Sequence, residues 1–455
     1  MTRSPTGRLV AVLLALVLVA ASCSKRDSSN TVTGGGGGTG NNGQSSIDTS
    51  NCSVDPTKPI PGNTIRLVSS FPQSGLTAAF SEIADGWKAY FKMVNTEQGG
   101  VTIAGKKYKI ETKDKDDTYD PAKTASNISD LVGSGSLDSV FGAFMVVGTA
   151  GNLAIRQDLA AKCVPDFFAA TGSPALGDPS FPWAIGATNP PYTVEVKAFA
   201  EYLKKNKPNA RVAVLAQDDD FGTAYIDGFN QAIKGTGIKV AKVEKYKPGA
   251  VDVGTQITSL AATKADAFLS GGTLLACPDS LKKAVAAGWR PLTYVSGTCA
   301  SKTLMGLAGS AGDKALTTTN LEDPLNPKWA NDPAMKEYRT KAKQYSPVAN
   351  LDLTNGIVAY GWTQGALFVK ALQAAKAPTR LAVMESVYNM NGVRAGLLRP
   401  GFSITTSQND RYMGEKVQFG RYNAAKGYFE DLGSPEDFEG RTASITPKAV
   451  ITGNG

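Results

Sequence analysis

The chain has 455 residues, 42% hydrophobic and 19% charged, an ordinary globular balance with length enough to bury at least two cores. Its 48 Lys+Arg and 40 Asp+Glu leave a net charge of +8 that is spread along the chain, with no basic run interleaved with aromatics of the kind that marks a nucleic-acid partner. Histidine is absent, which removes Ser–His–Asp and Cys–His nucleophilic machinery, His-ligated zinc and histidine bases, while serine–lysine and paired-carboxylate chemistry survive.

Arg3 and Arg8 precede an apolar run, Leu9–Ala21, that ends in Val19-Ala20-Ala21-Ser22-Cys23. A basic start, a short apolar stretch and small residues before a cut form a signal peptide over residues 1–22. The run falls short of the roughly 20 apolar residues that a membrane-spanning helix needs. Small residues directly before a cysteine resemble the bacterial lipobox, although Ala20 stands where that pattern prefers Leu. The resemblance implies a lipid on Cys23; the alternative is an ordinary cleavage site and a soluble secreted chain. Residues 23–63 then read as a polar, Gly-rich tether, with five consecutive glycines at Gly34–Gly38. As a coil, such a segment spans roughly 35 Å.

From Ile65 strands and helices alternate. Strand Ile65–Ser70, a Pro/Ser/Gly loop and helix Ala79–Asn95 come first, then strands Val101–Ile103 and Lys107–Thr112. Helix Pro121–Val132, strand Ser139–Ala143, helix Thr149–Ala161 and strand Asp166–Ala170 complete one series. After the Pro-rich Phe181–Tyr192 a second begins with helix Thr193–Lys205, strand Arg211–Ala216 and helix Thr223–Lys234. Strand Lys239–Tyr246, helix Val253–Thr263, strand Ala267–Ser270, helix Asp279–Ala287 and strand Thr293–Ser296 follow. Strands alternating with helices of this length indicate βαβ units and parallel sheets, and two such runs indicate two lobes. Helices Pro333–Gln344, Leu353–Ala375 and Arg380–Met390, with segments near Gly401–Ile404 and Val417–Tyr422, are too little for a third domain.

Several apparent motifs fail on their own terms. Gly100–Lys106 fits GxxxxGK, but Lys107 stands where a phosphate loop needs Ser or Thr, and the segment joins two strands; it reads as a hairpin turn. Asp114, Asp116, Asp117 and Asp120 lack the glycine and distal glutamate of a calcium loop, and Asp120-Pro121 reads as a helix cap. Asp218–Asp220 precede a helix in the same way. Ser280 and Lys283 have SxxK spacing without SDN or KTG, and no GxSxG occurs. No metal or cofactor is expected, and no enzyme. Cys52, Cys163, Cys277 and Cys299 allow three pairings in an oxidising compartment. Cys277–Cys299 is preferred because each follows a strand in the same half, which leaves Cys52–Cys163.

Ser74–Asn95, Gly99–Thr124, Phe141–Ala154, Asp218–Phe229 and Ala265–Trp289, in this order and spacing, resemble the Leu/Ile/Val-binding family of type I periplasmic solute-binding proteins of ABC importers. That resemblance implies two Rossmann-like α/β lobes with parallel sheets and a three-crossing hinge, near Ala184–Tyr192, Leu316–Glu322 and Gln408–Gly414. Lobe 1 would be residues 64–188 and 319–410, lobe 2 residues 189–318 and 411–434, with 435–455 a C-terminal tail. It implies an exported, lipid-anchored receptor that captures a small solute and partners the permease subunits. A ligand-sensing module for a membrane partner, or an exported α/β hydrolase, are the alternatives. The ligand residues it implies are Phe80, Val146, Thr149, Thr171, Gly172 and Tyr360 from the first lobe and Phe221, Thr273 and Thr298 from the second. Val146 stands at the family's serine position, Phe221 at its tyrosine and Thr298 at its acidic residue. With those partners of a zwitterion gone, backbone N–H groups at Val146–Thr149 point to a carboxylate or amide solute, with Met145 completing an apolar wall.

Overall fold

A computed structural model describes residues 47–453; the leader, Cys23 and the tether as far as residue 46 lie outside the described residues. The first half of the chain runs β1 (Thr64–Phe71), α1 (Glu82–Glu97), β2 (Val101–Ile103), β3 (Lys106–Asp116), α2 (Pro121–Val132), β4 (Gly142–Phe144), α3 (Thr149–Ala161), β5 (Asp166–Ala169) and β6 (Ala184–Gly186). These strands form one sheet, ordered β2-β3-β1-β4-β5-β6, parallel except for the β2–β3 hairpin. The hairpin turns at Ala104-Gly105, both at positive φ, a geometry that suits the glycine. Asp120 caps α2 by accepting from Ala122 N at 2.8 Å, with Pro121 in the first turn.

The second series is α4 (Tyr192–Asn206), β7 (Arg211–Gln217), α5 (Asp220–Ala232), β8 (Lys239–Tyr246), α6 (Gly254–Ala261), β9 (Ala267–Gly271), α7 (Ala276–Ala286), β10 (Leu292–Val295), α8 (Lys302–Ala308) and β11 (Leu316–Thr319). Helices α9 (Pro333–Gln344), α10 (Gly356–Ala374) and α11 (Arg380–Val387) then return to the first lobe. Strands β12 (Lys416–Asn423), β13 (Tyr428–Asp431) and β14 (Glu436–Asp437) join the second sheet, ahead of α12 (Thr442–Ile445) and α13 (Lys448–Thr452). That sheet is ordered β13-β12-β11-β10-β9-β7-β8, parallel from β8 to β11, with β12 and β13 antiparallel at one edge and β14 pairing with β12. The chain therefore passes between lobes three times, at 187–191, 320–322 and 411–415.

Each sheet is buried on both faces, so its strands carry continuous apolar runs such as Val212–Ala216. In the first lobe α10 crosses α1 at backbone contact distance. A Cβ on Gly86 would lie 2.1 Å from Val358 O, and one on Gly361 1.9 Å from Ile83 O. Trp87, Phe91, Phe144, Phe168 and Phe368 fill the layer beside this crossing.

Three stretches differ from the sequence-based expectation. Residues 47–63 are not free coil. Ile47 and Ile60 are buried in the first core, Ser53 N donates to Ala161 O and Ile60 N to Pro378 O. The Cys52–Cys163 disulfide fastens this segment; Cys277–Cys299 forms in the second lobe. Scattered apolar residues and one cysteine thus dock a segment whose composition reads as tether. The stretch 435–453 is likewise folded: α12 packs on α4 and α5, while α13 lies between α5 and residues 174–177 of the first lobe, with Arg156 donating to Thr452 O. β11, a segment placed from sequence only at a hinge crossing near Leu316–Glu322, is a strand because antiparallel β12 completes its pairing.

One buried acid has a predictable cost. Asp166, at the start of β5, is fully buried, neither carboxylate oxygen has a hydrogen-bond partner, and burial raises its pKa to about 7. A raised carboxyl pKa favours the folded state below the unfolded value and loses that advantage as pH rises towards the folded one. Asp166→Asn is therefore expected to gain stability relative to the parent at pH 8, on the order of 2 kcal/mol, and to lose most of this gain near pH 4. Urea denaturation at the two pH values measures it; an equal effect at both would contradict the assignment.

Candidate functional site

In open α/β sheets the carboxyl ends of strands hold ligands. Here both sheets turn those ends towards one cleft, a cavity of about 180 Å³. The first lobe contributes Phe80 from the turn after β1, Tyr119 after β3, Val147 and Gly148 after β4, Ala170 after β5, and Ile357 and Tyr360 from α10. The second lobe contributes Tyr192 and Glu195 from α4, Phe221 from α5, Thr273 after β9, and Gly297 and Thr298 after β10. The hinge strands supply Thr188 and Asn189 on one crossing and Asn320, Leu321 and Glu322 on another.

Two ring clusters form the apolar surface. Phe80 and Tyr119 stand 5.7 Å apart by centroid in the first lobe. In the second, Tyr192 meets Phe221 edge-on at 4.9 Å and stacks on Tyr225 at 5.0 Å. Tyr360 donates across the hinge to Asn189 Oδ1. Burial raises the Tyr192 phenol to about 12 and those of Tyr119 and Tyr360 well above the usual tyrosine range, so all stay neutral at physiological pH.

Glu195 is the acid of the cleft. It is 1% exposed, and its Oε2 accepts from Tyr225 (2.8 Å), Tyr294 (3.0 Å) and Gly297 N (3.0 Å). Burial lifts its pKa to about 7 against those donors. Glu322, near the hinge, is also raised to about 7, chiefly by burial, with Arg394 Nη2 3.5 Å from Oε1. The basic side chains on the cleft wall are engaged. Lys302 reaches Thr354 Oγ1 (2.7 Å) and Asp352 (3.2 Å), and Arg399 reaches Asp431 (2.7 Å) and Leu321 O (2.9 Å).

Of the residues expected at the site, Phe80, Phe221, Thr273, Thr298 and Tyr360 line the cleft. Val146, Met145, Thr149, Thr171 and Gly172 do not. Val146 lies in the core on the opposite face of the first sheet, with Val68, Ile128 and Ile155, because Met145, at positive φ just after β4, breaks the strand's alternation and leaves Phe144 and Met145 in one core and Ala143 and Val146 in the other. Met145 is buried in the other core layer. Thr149 and Thr171 hydrogen-bond each other at 2.8 Å, and Thr171 also contacts the Tyr192 hydroxyl at 3.2 Å, so Tyr192 covers both. Gly172 lies behind the same ring; a Cβ there would sit 2.7 Å from Tyr192. Two backbone donors of that loop are also in use: Val147 N bonds Ser70 O and Gly148 N bonds Ala170 O. Thr273 and Thr298 face the cleft with their hydroxyl protons already donated, to Gln217 Oε1 and Gly272 O.

Glu195, Tyr192 and Tyr119 were missed from sequence. Glu195 sits in the first turn of α4, where an acid reads as a helix-dipole partner. Its one local sign is that it falls between Val194 and Val196 on a helix whose neighbours are buried on both sides. The lobes also touch at the mouth: Leu274 of the second lobe packs in the first lobe's core, and Lys302–Asp352 spans the gap. Among the described residues no helix is long and apolar enough to cross a membrane.

Comparisons with known proteins agree with this architecture. The model of the periplasmic binding protein family matches residues 64–427. A branched-chain amino acid ABC transporter structure from Thermus thermophilus, with bound valine, superimposes with a TM-score of 0.72 at 18% identity, covering 82% of this chain and 97% of that one. An ABC transporter substrate-binding protein from Aeropyrum pernix gives 0.73 at 16% identity, with 86% and 99% covered. A fatty acid ABC transporter substrate-binding protein from Thermomonospora curvata gives 0.69 at 20% identity, with 84% and 95% covered. At these identities the structural likeness speaks for the fold, and the family match speaks for descent. With two α/β lobes, three crossings and a cleft at facing strand ends, the chain belongs to the periplasmic binding protein family and has its type I fold.

Proposed function

We propose that this protein is an extracytoplasmic receptor, tethered by a lipid on Cys23, that captures a small solute by closing its two lobes and hands it to the permease of an ABC importer. The observation that carries this reading is a cleft whose walls come from both lobes and which presents aromatic rings from each, with Phe80 on one side and Phe221 on the other. Closure requires a ligand that gains contacts from both lobes at once, and this cleft offers them. The neighbours named for branched-chain amino acids and for a fatty acid support a solute with an apolar body.

A thermal-shift screen of residues 24–455 against amino acids, amides, carboxylates and amines tests the reading. At least one solute is expected to raise the melting temperature and reduce the radius of gyration in solution scattering. Phe80→Ala, which strips one ring from the wall, is expected to weaken that solute tenfold or more, since full truncation of a buried aromatic costs about 3 kcal/mol. If no solute in a broad screen stabilises the protein, solute capture is wrong; if Phe80→Ala binds normally, Phe80 is not in the site.

A further inference from the structure

The cleft's basic side chains, Lys302 and Arg399, are paired with acids, and Glu195 has no basic partner among the described residues. Glu195 is buried, and three neutral donors hold its Oε2. Among the described residues no donor reaches Oε1. A Cβ on Gly297 would come within 3.0 Å of that oxygen, so glycine leaves it open at the cleft wall. Removing a carboxylate from water without a counter-ion is costly, and the described residues supply none. A ligand carboxylate would find the opposite situation: Lys302 and Arg399 are committed to Asp352 and Asp431, and the hydroxyls of Thr149 and Thr171 to each other. The cleft also presents the rings of Phe80, Tyr119, Tyr192 and Phe221, and the face of an aromatic ring attracts cations.

We propose that the solute is an organic cation with an apolar body and no carboxylate. Its charged group lies on Glu195 Oε1, and its body lies among Phe80, Tyr119, Tyr192 and Phe221. This rests on the solute-capture reading and names the class of solute for the same cleft. Glu322 does not serve as a second charge anchor, because Arg394 and Arg399 already oppose its charge.

The probe is benzyltrimethylammonium, whose charge does not titrate, compared by calorimetry with phenethylamine, neutral 2-phenylethanol and 3-phenylpropionate. Both cations are expected to bind at least tenfold more tightly than the alcohol or the carboxylate. Glu195→Gln, which keeps the shape and removes the charge, is expected to abolish that preference. The groups facing Glu195 are Tyr192 on its own helix, Tyr225 from α5, Tyr294 from β10 and Gly297 N; all three phenols are raised above the usual tyrosine range and remain neutral. Glu195 is therefore the member of this group that ionises as pH rises through about 7, and cation affinity should increase about tenfold from pH 6 to pH 8. Glu322→Gln should retain that pH dependence and Glu195→Gln should lose it.

If Glu195→Gln does not fold, Phe80→Leu decides instead: it should weaken the cations more than 2-phenylethanol. Tighter binding of the carboxylate, equal binding of the alcohol, or an affinity that falls as pH rises overturns the cation assignment while leaving solute capture in place. No binding by either cation also overturns it, and the broad screen then decides on capture separately.

Discussion

Replacing Gly361 by alanine is expected to destabilise the first lobe by about 3 kcal/mol or more, the upper part of the range for forcing an extra group into a packed core. The reason is geometric. The added methyl would fall 1.9 Å from Ile83 O and 2.9 Å from Ile83 C, and both are backbone atoms that a rotamer change cannot move aside. Gly86→Ala meets the reverse face of the same crossing, at 2.1 Å from Val358 O. Gly306, in α8, provides the contrast: nothing lies within 4 Å of its would-be Cβ, so Gly306→Ala should be neutral or stabilising by up to about 1 kcal/mol. Urea denaturation followed by tryptophan fluorescence reports the difference, since Trp87 and Trp362 sit at the α1–α10 crossing. A Gly361→Ala midpoint equal to that of Gly306→Ala would refute the close-packed crossing. Because Phe80 precedes α1 and Tyr360 adjoins Gly361, the same variant should also weaken any solute held by the first lobe.

Removing the two disulfides should separate stability from binding. Cys277–Cys299 joins residues 22 apart and Cys52–Cys163 residues 111 apart, so the loop-entropy argument assigns about 3 and about 4–5 kcal/mol respectively, with measured values commonly lower. Their positions differ more than their energies. Cys299 follows Thr298 in a turn on the cleft wall, and its partner Cys277 begins α7, directly after the Thr273 loop. Cys52–Cys163 holds the docked segment 47–63 at the far end of the first lobe, beside Gly135 and Val164. The Cys277→Ala/Cys299→Ala pair is expected to lose both melting temperature and solute affinity. The Cys52→Ala/Cys163→Ala pair should lose melting temperature alone. Equal losses of affinity in both would show that the second-lobe bridge has no particular hold on the site.

Much of the architecture is local in origin and therefore legible. Helices Pro121–Val132, Thr149–Ala161 and Pro333–Gln344 begin and end where their caps and apolar periodicity place them. The strand alternation requires parallel sheets, since consecutive strands linked by helices cannot pair as hairpins. Where pairing depends on distant chain, local reading fails. β11 is a short Thr-rich segment whose pairing comes mostly from Lys416–Asn423, a hundred residues later, with one parallel pair to β10. Residues 47–63 look like linker because their few apolar side chains matter only once a surface exists to receive them.

The same division governs the candidate site. Local order along the chain sets the two βα series, the turns at their strand ends and the aromatic Phe80 and Phe221 beside those turns, because period and turn chemistry are properties of neighbours along the chain. The tertiary structure alone decided that Val146 faces a core and that Tyr192 covers Thr171. It alone brought Tyr225 and Tyr294, 30 and 99 residues from Glu195, onto one oxygen of that carboxylate. A buried charge is defined by what surrounds it in space, and those neighbours come from three separate elements of the second lobe.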